Sequence, residues 1–71
     1  MNSVNVVDHS VTEEKICDIV FDACRANEAR AEWTNGVFSV VFLDLGDGDH
    51  YAVVRKDGVK VGTAVVDPMD C

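Results

Sequence analysis

Basic residues are scarce in this chain of 71 residues: six Lys and Arg stand against thirteen Asp and Glu, a formal charge of −7. A one-signed acidic surface attracts cations and repels DNA, RNA and anionic membranes. Each phosphate contact would need a cation, and Lys15, Arg25, Arg30, Arg55, Lys56 and Lys60 are few and interspersed with acids, so direct nucleic-acid binding is the least expected function. No apolar run approaches the ~18 residues of a membrane span, and the N-terminus lacks the basic, apolar and small-residue order of a leader. A Gly-rich phosphate loop, a Ser-centred nucleophile elbow and an aromatic or basic stripe are also missing. No cofactor is expected.

Cysteine is sparse as well. Cys17, Cys24 and Cys71 are an odd number with no CxxC spacing, which removes the usual zinc and thioredoxin-like patterns. On a single helix Cys17 and Cys24 would lie about 10 Å apart, beyond the roughly 7 Å reach of a disulfide, so a bridge between them is excluded. A reducing cytosol is the expected compartment.

What remains is a composition that folds. Hydrophobic residues make up 48% of the chain and charged ones 27%, far from the corner occupied by disordered chains. A domain of this size buries only roughly 60% of its unfolded surface, and small domains often add a bridge, a metal or a second subunit.

Residues 1–9 read as a tail or a short edge strand. Ser10-Val11-Thr12-Glu13 fits a capping box, which starts a helix spanning 10–33. Ile16, Ile19, Val20, Ala23 and Asn27 recur at three- and four-residue spacing and share one face, and Thr34-Asn35-Gly36 supplies a stop. The period then changes to 2. Strands are expected at 37–45, 50–56 and 59–66, the first apolar on both parities, with turns at Gly46-Asp47-Gly48-Asp49 and Asp57-Gly58. The second turn is either a two-residue type I′ turn or a type I turn with a bulge at the glycine, and the two registers present opposite faces of the hairpin. Pro68 ends the last strand.

The fold class is therefore α+β: one helix packed on a three-stranded antiparallel meander in a single domain. A helix covers one face of a sheet. The other would carry some of Phe38, Val40, Phe42, Tyr51, Val53 and Val65, an apolar surface suited to self-association as a homodimeric accessory subunit or to a partner.

On a helical wheel Glu14, Asp18, Asp22, Glu28 and Glu32 fall in a stripe about 120° wide, broken by Arg25 and Phe21 and facing away from Ile16 and Ala23. Carboxylates with one aromatic among them suit a protein contact, since the acids pair with Arg or Lys and the ring supplies contact area. Asp44, Asp47 and Asp49 surround a glycine turn. They lack the longer ligand series and downstream bidentate carboxylate of a calcium loop, so no metal is expected, and they extend the negative surface instead.

His50-Tyr51-Ala52-Val53-Val54 followed by Val65-Val66-Asp67-Pro68 is similar to the histidine and aspartate strands of transglutaminase-like and papain-like cysteine hydrolases, a likeness over about 19 residues. It implies Cys17 or Cys24 as nucleophile, His50 as base and Asp67 as its orienting group. That family's cysteine begins its helix, whereas Cys17 lies roughly two turns inside. In length, acidity and lack of catalytic motifs the chain resembles phage-encoded anti-CRISPR proteins, which block the nucleic-acid groove of a CRISPR effector. The likeness is one of class. It implies a non-enzymatic inhibitor, acting in the host cytoplasm, that occupies a basic nucleic-acid-binding surface, and the contacts expected from the charge pattern of this sequence are Glu14, Asp18, Phe21, Asp22, Glu28, Glu32, Asp44, Asp47 and Asp49.

Overall fold

The computed structural model describes residues 3–27, 32–46 and 48–67. Strand β1 (Ser3–Val6) leads to helix α1 (Glu13–Asn27), followed by β2 (Glu32–Thr34), β3 (Phe38–Asp44), β4 (His50–Lys56) and β5 (Val59–Val66). All five strands form one antiparallel sheet in the order β1-β5-β4-β3-β2. The expected meander is its centre. Two further strands extend the three-stranded meander to five: β1, the edge strand that was one of the two readings of residues 1–9, and β2, which was not expected.

The helix begins two residues later than the capping box implied. Thr12 is the cap: its Oγ1 accepts from the Lys15 amide at 3.1 Å and its carbonyl from the Ile16 amide at 3.0 Å. Ser10 belongs to the preceding turn, where its amide donates to Asp8 Oδ1 at 2.9 Å and the Val11 amide donates to the Asp8 carbonyl at 3.0 Å. Val11 before the cap and Ile16 in the first turn both enter the core, as in a hydrophobic staple.

At its other end α1 is described to Asn27, and the stretch expected to continue it to residue 33 contains β2. In a continuing helix Trp33 would sit about 100° from the middle of the buried face. As a strand residue opposite Val40, it packs against the core. Thr34-Asn35-Gly36 is accordingly a hairpin turn and not a helix stop. Asn35 Oδ1 accepts from the amides of Val37 and Phe38 at 3.0 and 2.8 Å, and Thr34 Oγ1 donates to the Phe38 carbonyl at 2.9 Å.

The core lies between α1 and one sheet face. Ile16, Ile19, Val20, Ala23 and Cys24 meet Phe38, Val40 and Phe42 of β3, Ala52 and Val54 of β4, and Val61, Ala64 and Val66 of β5. Each large aliphatic side chain so buried contributes about 1.5–3 kcal/mol. Phe38, Val40 and Phe42 therefore face the helix, while Tyr51, Val53 and Val65 lie on the uncovered face, called the open face below.

The Asp57-Gly58 connection is the two-residue type I′ turn: Lys56 pairs with Val59, and both turn residues have positive φ, 53° and 84°. A bulge follows, since Val54 pairs with Gly62 but Arg55 with Lys60, leaving Val61 as the extra residue. The Val61 carbonyl accepts from the amides of Val7 and Asp8 at 2.9 and 3.1 Å, which ties the chain leaving β1 to the sheet.

Candidate functional site

Helix α1 lies across the sheet and touches every strand, so its outward side is the side opposite the core. Glu14, Asp18 and Asp22 are all exposed and follow one another at one-turn intervals, about 6 Å apart along the axis. Phe21 is half-buried and stands outside the core cluster, beside these carboxylates. Asp22 is ion-paired: its Oδ1 accepts from Arg25 Nη2 at 2.7 Å, with the two side chains 59% and 62% exposed. Such an exposed pair stabilises the helix by only about 0.3–0.5 kcal/mol, but it offsets one of the three acids. Glu14 and Asp18 make no ion pair among the described residues.

Glu32 does not join this ridge. It lies on the edge strand β2 opposite Val41, with its side chain exposed and on the opposite side of the strand from Trp33, hence on the open face of the sheet. Glu28 and Asp47 lie outside the described residues. Asp44 is exposed at the end of β3, where its Oδ1 accepts from the Gly46 amide at 2.7 Å and so shapes the turn. Asp49 is half-buried.

Lys15, next to Glu14, holds its ammonium 5.8 Å from the ring centre of Phe38 at the start of β3. Asp44 closes that strand about 20 Å away at ~3.4 Å per residue. Cations gather near the other end of the sheet: Lys56 also lies 5.8 Å from the Phe38 ring centre, and Arg55 pairs with Lys60 across the hairpin. The sequence signal that could have found that clustering is the Asp57-Gly58 turn, which folds Arg55 and Lys56 back beside Lys60.

The hydrolase constellation fares differently. Cys17 is a free, half-buried thiol in the second turn of α1, and burial, followed by the charges of Glu13 and Asp18, pushes its pKa up. A nucleophile needs the reverse shift. Cys24 is buried in the core and disulfide-bonded, which withdraws it from that role. His50 begins β4 opposite Val66, so Asp67 follows directly beyond the end of the neighbouring strand, and His50 Nδ1 is buried without a hydrogen-bond partner. No three His, Cys, Asp or Glu side chains among the described residues come together as metal ligands. No described helix is long and apolar enough to cross a membrane.

Compared with protein-family models, with characterised proteins and with solved structures, the chain matches none.

Proposed function

We propose that this protein is a non-enzymatic binding protein that occupies a basic, nucleic-acid-binding surface of a partner protein, with the outward face of α1 as the primary contact. The observation that carries this reading is the run of exposed Glu14, Asp18 and Asp22 along the helix face opposite the core, on a chain whose net charge is −7. Carboxylates fixed at one-turn intervals on a packed helix present charge without the entropy cost of ordering a loop, and Phe21 beside them adds apolar contact area. Because Glu32 lies on the open face of the sheet, it is not assigned to the same contact. A phage anti-CRISPR inhibitor acting on the nucleic-acid groove of a CRISPR effector is the specific form this reading takes. Exposed ion pairs at such an interface are screened beyond about 8–10 Å, so affinity falls with salt.

The test is capture of partners from a bacterial lysate at low and moderate salt, comparing the unaltered chain with a Glu14→Lys/Asp18→Lys variant. The expected result is a salt-sensitive, nucleic-acid-binding partner that the variant no longer retains and whose nucleic acid is displaced stoichiometrically. Retention of the same partner by the charge-reversed variant removes the ridge from the function. So does a captured partner that still binds its nucleic acid.

A further inference from the structure

We infer that the open face of the sheet is a docking surface for the acidic outward face of α1 on a second copy of this chain, so that copies join head to tail. The observation that carries it is a pair of bases with no acid beside them. Arg55 and Lys60 are directly opposite each other on β4 and β5, and both stand on the open face, because their chain neighbours Val54 and Val61 enter the core. Like charges so placed destabilise a sheet. The same row continues with Ser39 of β3 and Thr34 of β2, and the one acid that the described strands place on this face is Glu32 at the edge, two strands from Arg55. Neither base makes an ion pair among the described residues.

Beyond this row the face turns apolar. Val41, Val53 and Thr63 come next, and then Leu43, Tyr51 and Val65, of which Leu43 is exposed. Two cations adjoining an apolar band suit an element that offers carboxylates at one end and an apolar side chain at the other. The outward face of α1 is such an element. Glu14 and Asp18 are exposed and make no ion pair among the described residues, and Phe21 lies on the same side of the helix, outside the core cluster. The spacing also agrees. Phe21 stands about 7 Å along the helix axis beyond the midpoint of the two carboxylates, and the Val53 row stands about 7 Å along the strands from the Arg55 row. With α1 of one copy laid along the strands of the next, Glu14 and Asp18 meet Arg55 and Lys60, while Phe21 settles on Val53 and against Tyr51.

An acidic segment of another protein would satisfy the two bases equally well; agreement in both charge and spacing is what selects this chain's own helix. The two surfaces in contact are different, so each joined copy still offers one helix face and one sheet face, and assembly passes two copies unless the rotation closes a ring. The net charge of −7 on each copy opposes approach at long range, and physiological ionic strength screens that repulsion over about 8 Å. A basic partner and a second copy compete for the same carboxylates. Self-association is therefore measured on the purified chain alone, and its absence would leave the proposed function standing.

Sedimentation equilibrium of the full chain at about 150 mM salt, from about 5 to about 500 µM, reads the association directly. Two variants resolve its polarity, Glu14→Gln/Asp18→Asn on the helix and Arg55→Gln/Lys60→Gln on the sheet. Each alone is expected to associate at least about tenfold more weakly than the unaltered chain. An equimolar mixture should regain the association but stop at two copies, since one variant keeps a working sheet face and the other a working helix face. All four residues lie outside the core cluster, so unchanged melting temperatures separate lost pairing from lost folding. A monomer at every concentration overturns the inference, as do variants that associate like the unaltered chain. A mixture that associates no more strongly than the separate variants overturns it too, because helix-to-sheet contact requires them to complement each other.

Discussion

Ile16 and Gly62 fit together where the helix meets the sheet: a Cβ on Gly62 would stand 2.8 Å from Ile16 Cδ1 and 3.0 Å from its Cγ1. The same Cβ would lie 3.1 Å from the Asn5 carbonyl of β1, so the helix and the edge strand close on this position from two directions. Gly62→Ala is expected to destabilise the fold by about 1–3 kcal/mol, despite the lower chain entropy alanine brings to the unfolded state. Urea unfolding measures it. Ile16→Val alone costs about 0.5–1.5 kcal/mol, but in the Gly62→Ala background it should recover part of the loss. Simple addition of the two costs would mean that the side chains do not meet.

The β2–β3 turn takes two of its hydrogen bonds from one side chain. Asn35 Oδ1 accepts from two backbone amides, and Gly36 beside it has a φ of 95°, which a side-chain-bearing residue adopts only under strain. Asn35→Ala leaves both amides to water and should cost about 1–2 kcal/mol, whereas Asn35→Asp keeps the acceptor and should stay near the unaltered stability. Equal losses for the two variants would assign the turn's stability to the backbone alone.

That turn also illustrates how far the fold was legible beforehand. The phase of α1 was readable because Ile16, Ile19, Val20 and Ala23 recur at helical spacing, and all four are buried. The strands at 50–56 and 59–66 were readable from alternation around Asp57-Gly58. β2 was not, because a three-residue strand carries no period and residues 26–33 contain good helix formers; burial of Trp33 decided the matter from outside the segment. The core face of β3 was equally hidden, since Phe38, Val40 and Phe42 compete with Val37, Val41 and Leu43 for the same helix. For the candidate site, the exposure of Glu14, Asp18 and Asp22 followed from the wheel, whereas the ion pair at Asp22 depended on which rotamer Arg25 adopts. Glu32 was misplaced for the same reason that β2 was missed.

Asp8 makes the stability of the pre-helical turn depend on pH. Hydrogen bonds from the backbone and side chain of Ser10 hold the Asp8 carboxyl below its ordinary 3.8. A depressed folded-state pKa contributes stability that is present above the unfolded value and disappears as pH falls through the folded one. Carboxyl titration by NMR should place the Asp8 midpoint below that of a free aspartate. An Asp8→Ala variant should be less stable than the unaltered chain at pH 7 and converge with it in strong acid. A constant difference across the whole range would assign the effect to packing.

Cys17 separates a binding protein from a thiol enzyme most directly. Its thiol is half-buried, and burial together with Glu13 and Asp18 disfavours the thiolate, the form that attacks electrophiles. Iodoacetamide should therefore modify Cys17 at pH 7 more slowly than it modifies an unstructured cysteine peptide. Asp18→Asn should accelerate the reaction by removing one of the opposing charges, and raising the pH should accelerate it further. Because Cys17 stands outside the core cluster, Cys17→Ser should leave the melting temperature within a few degrees of the unaltered chain, so a failure of function in that variant could not be laid to unfolding. A labelling rate faster than the peptide's, abolished by His50→Ala, would instead join the thiol to the strand histidine and restore the hydrolase reading, since burial and neighbouring carboxylates alone push reactivity the other way.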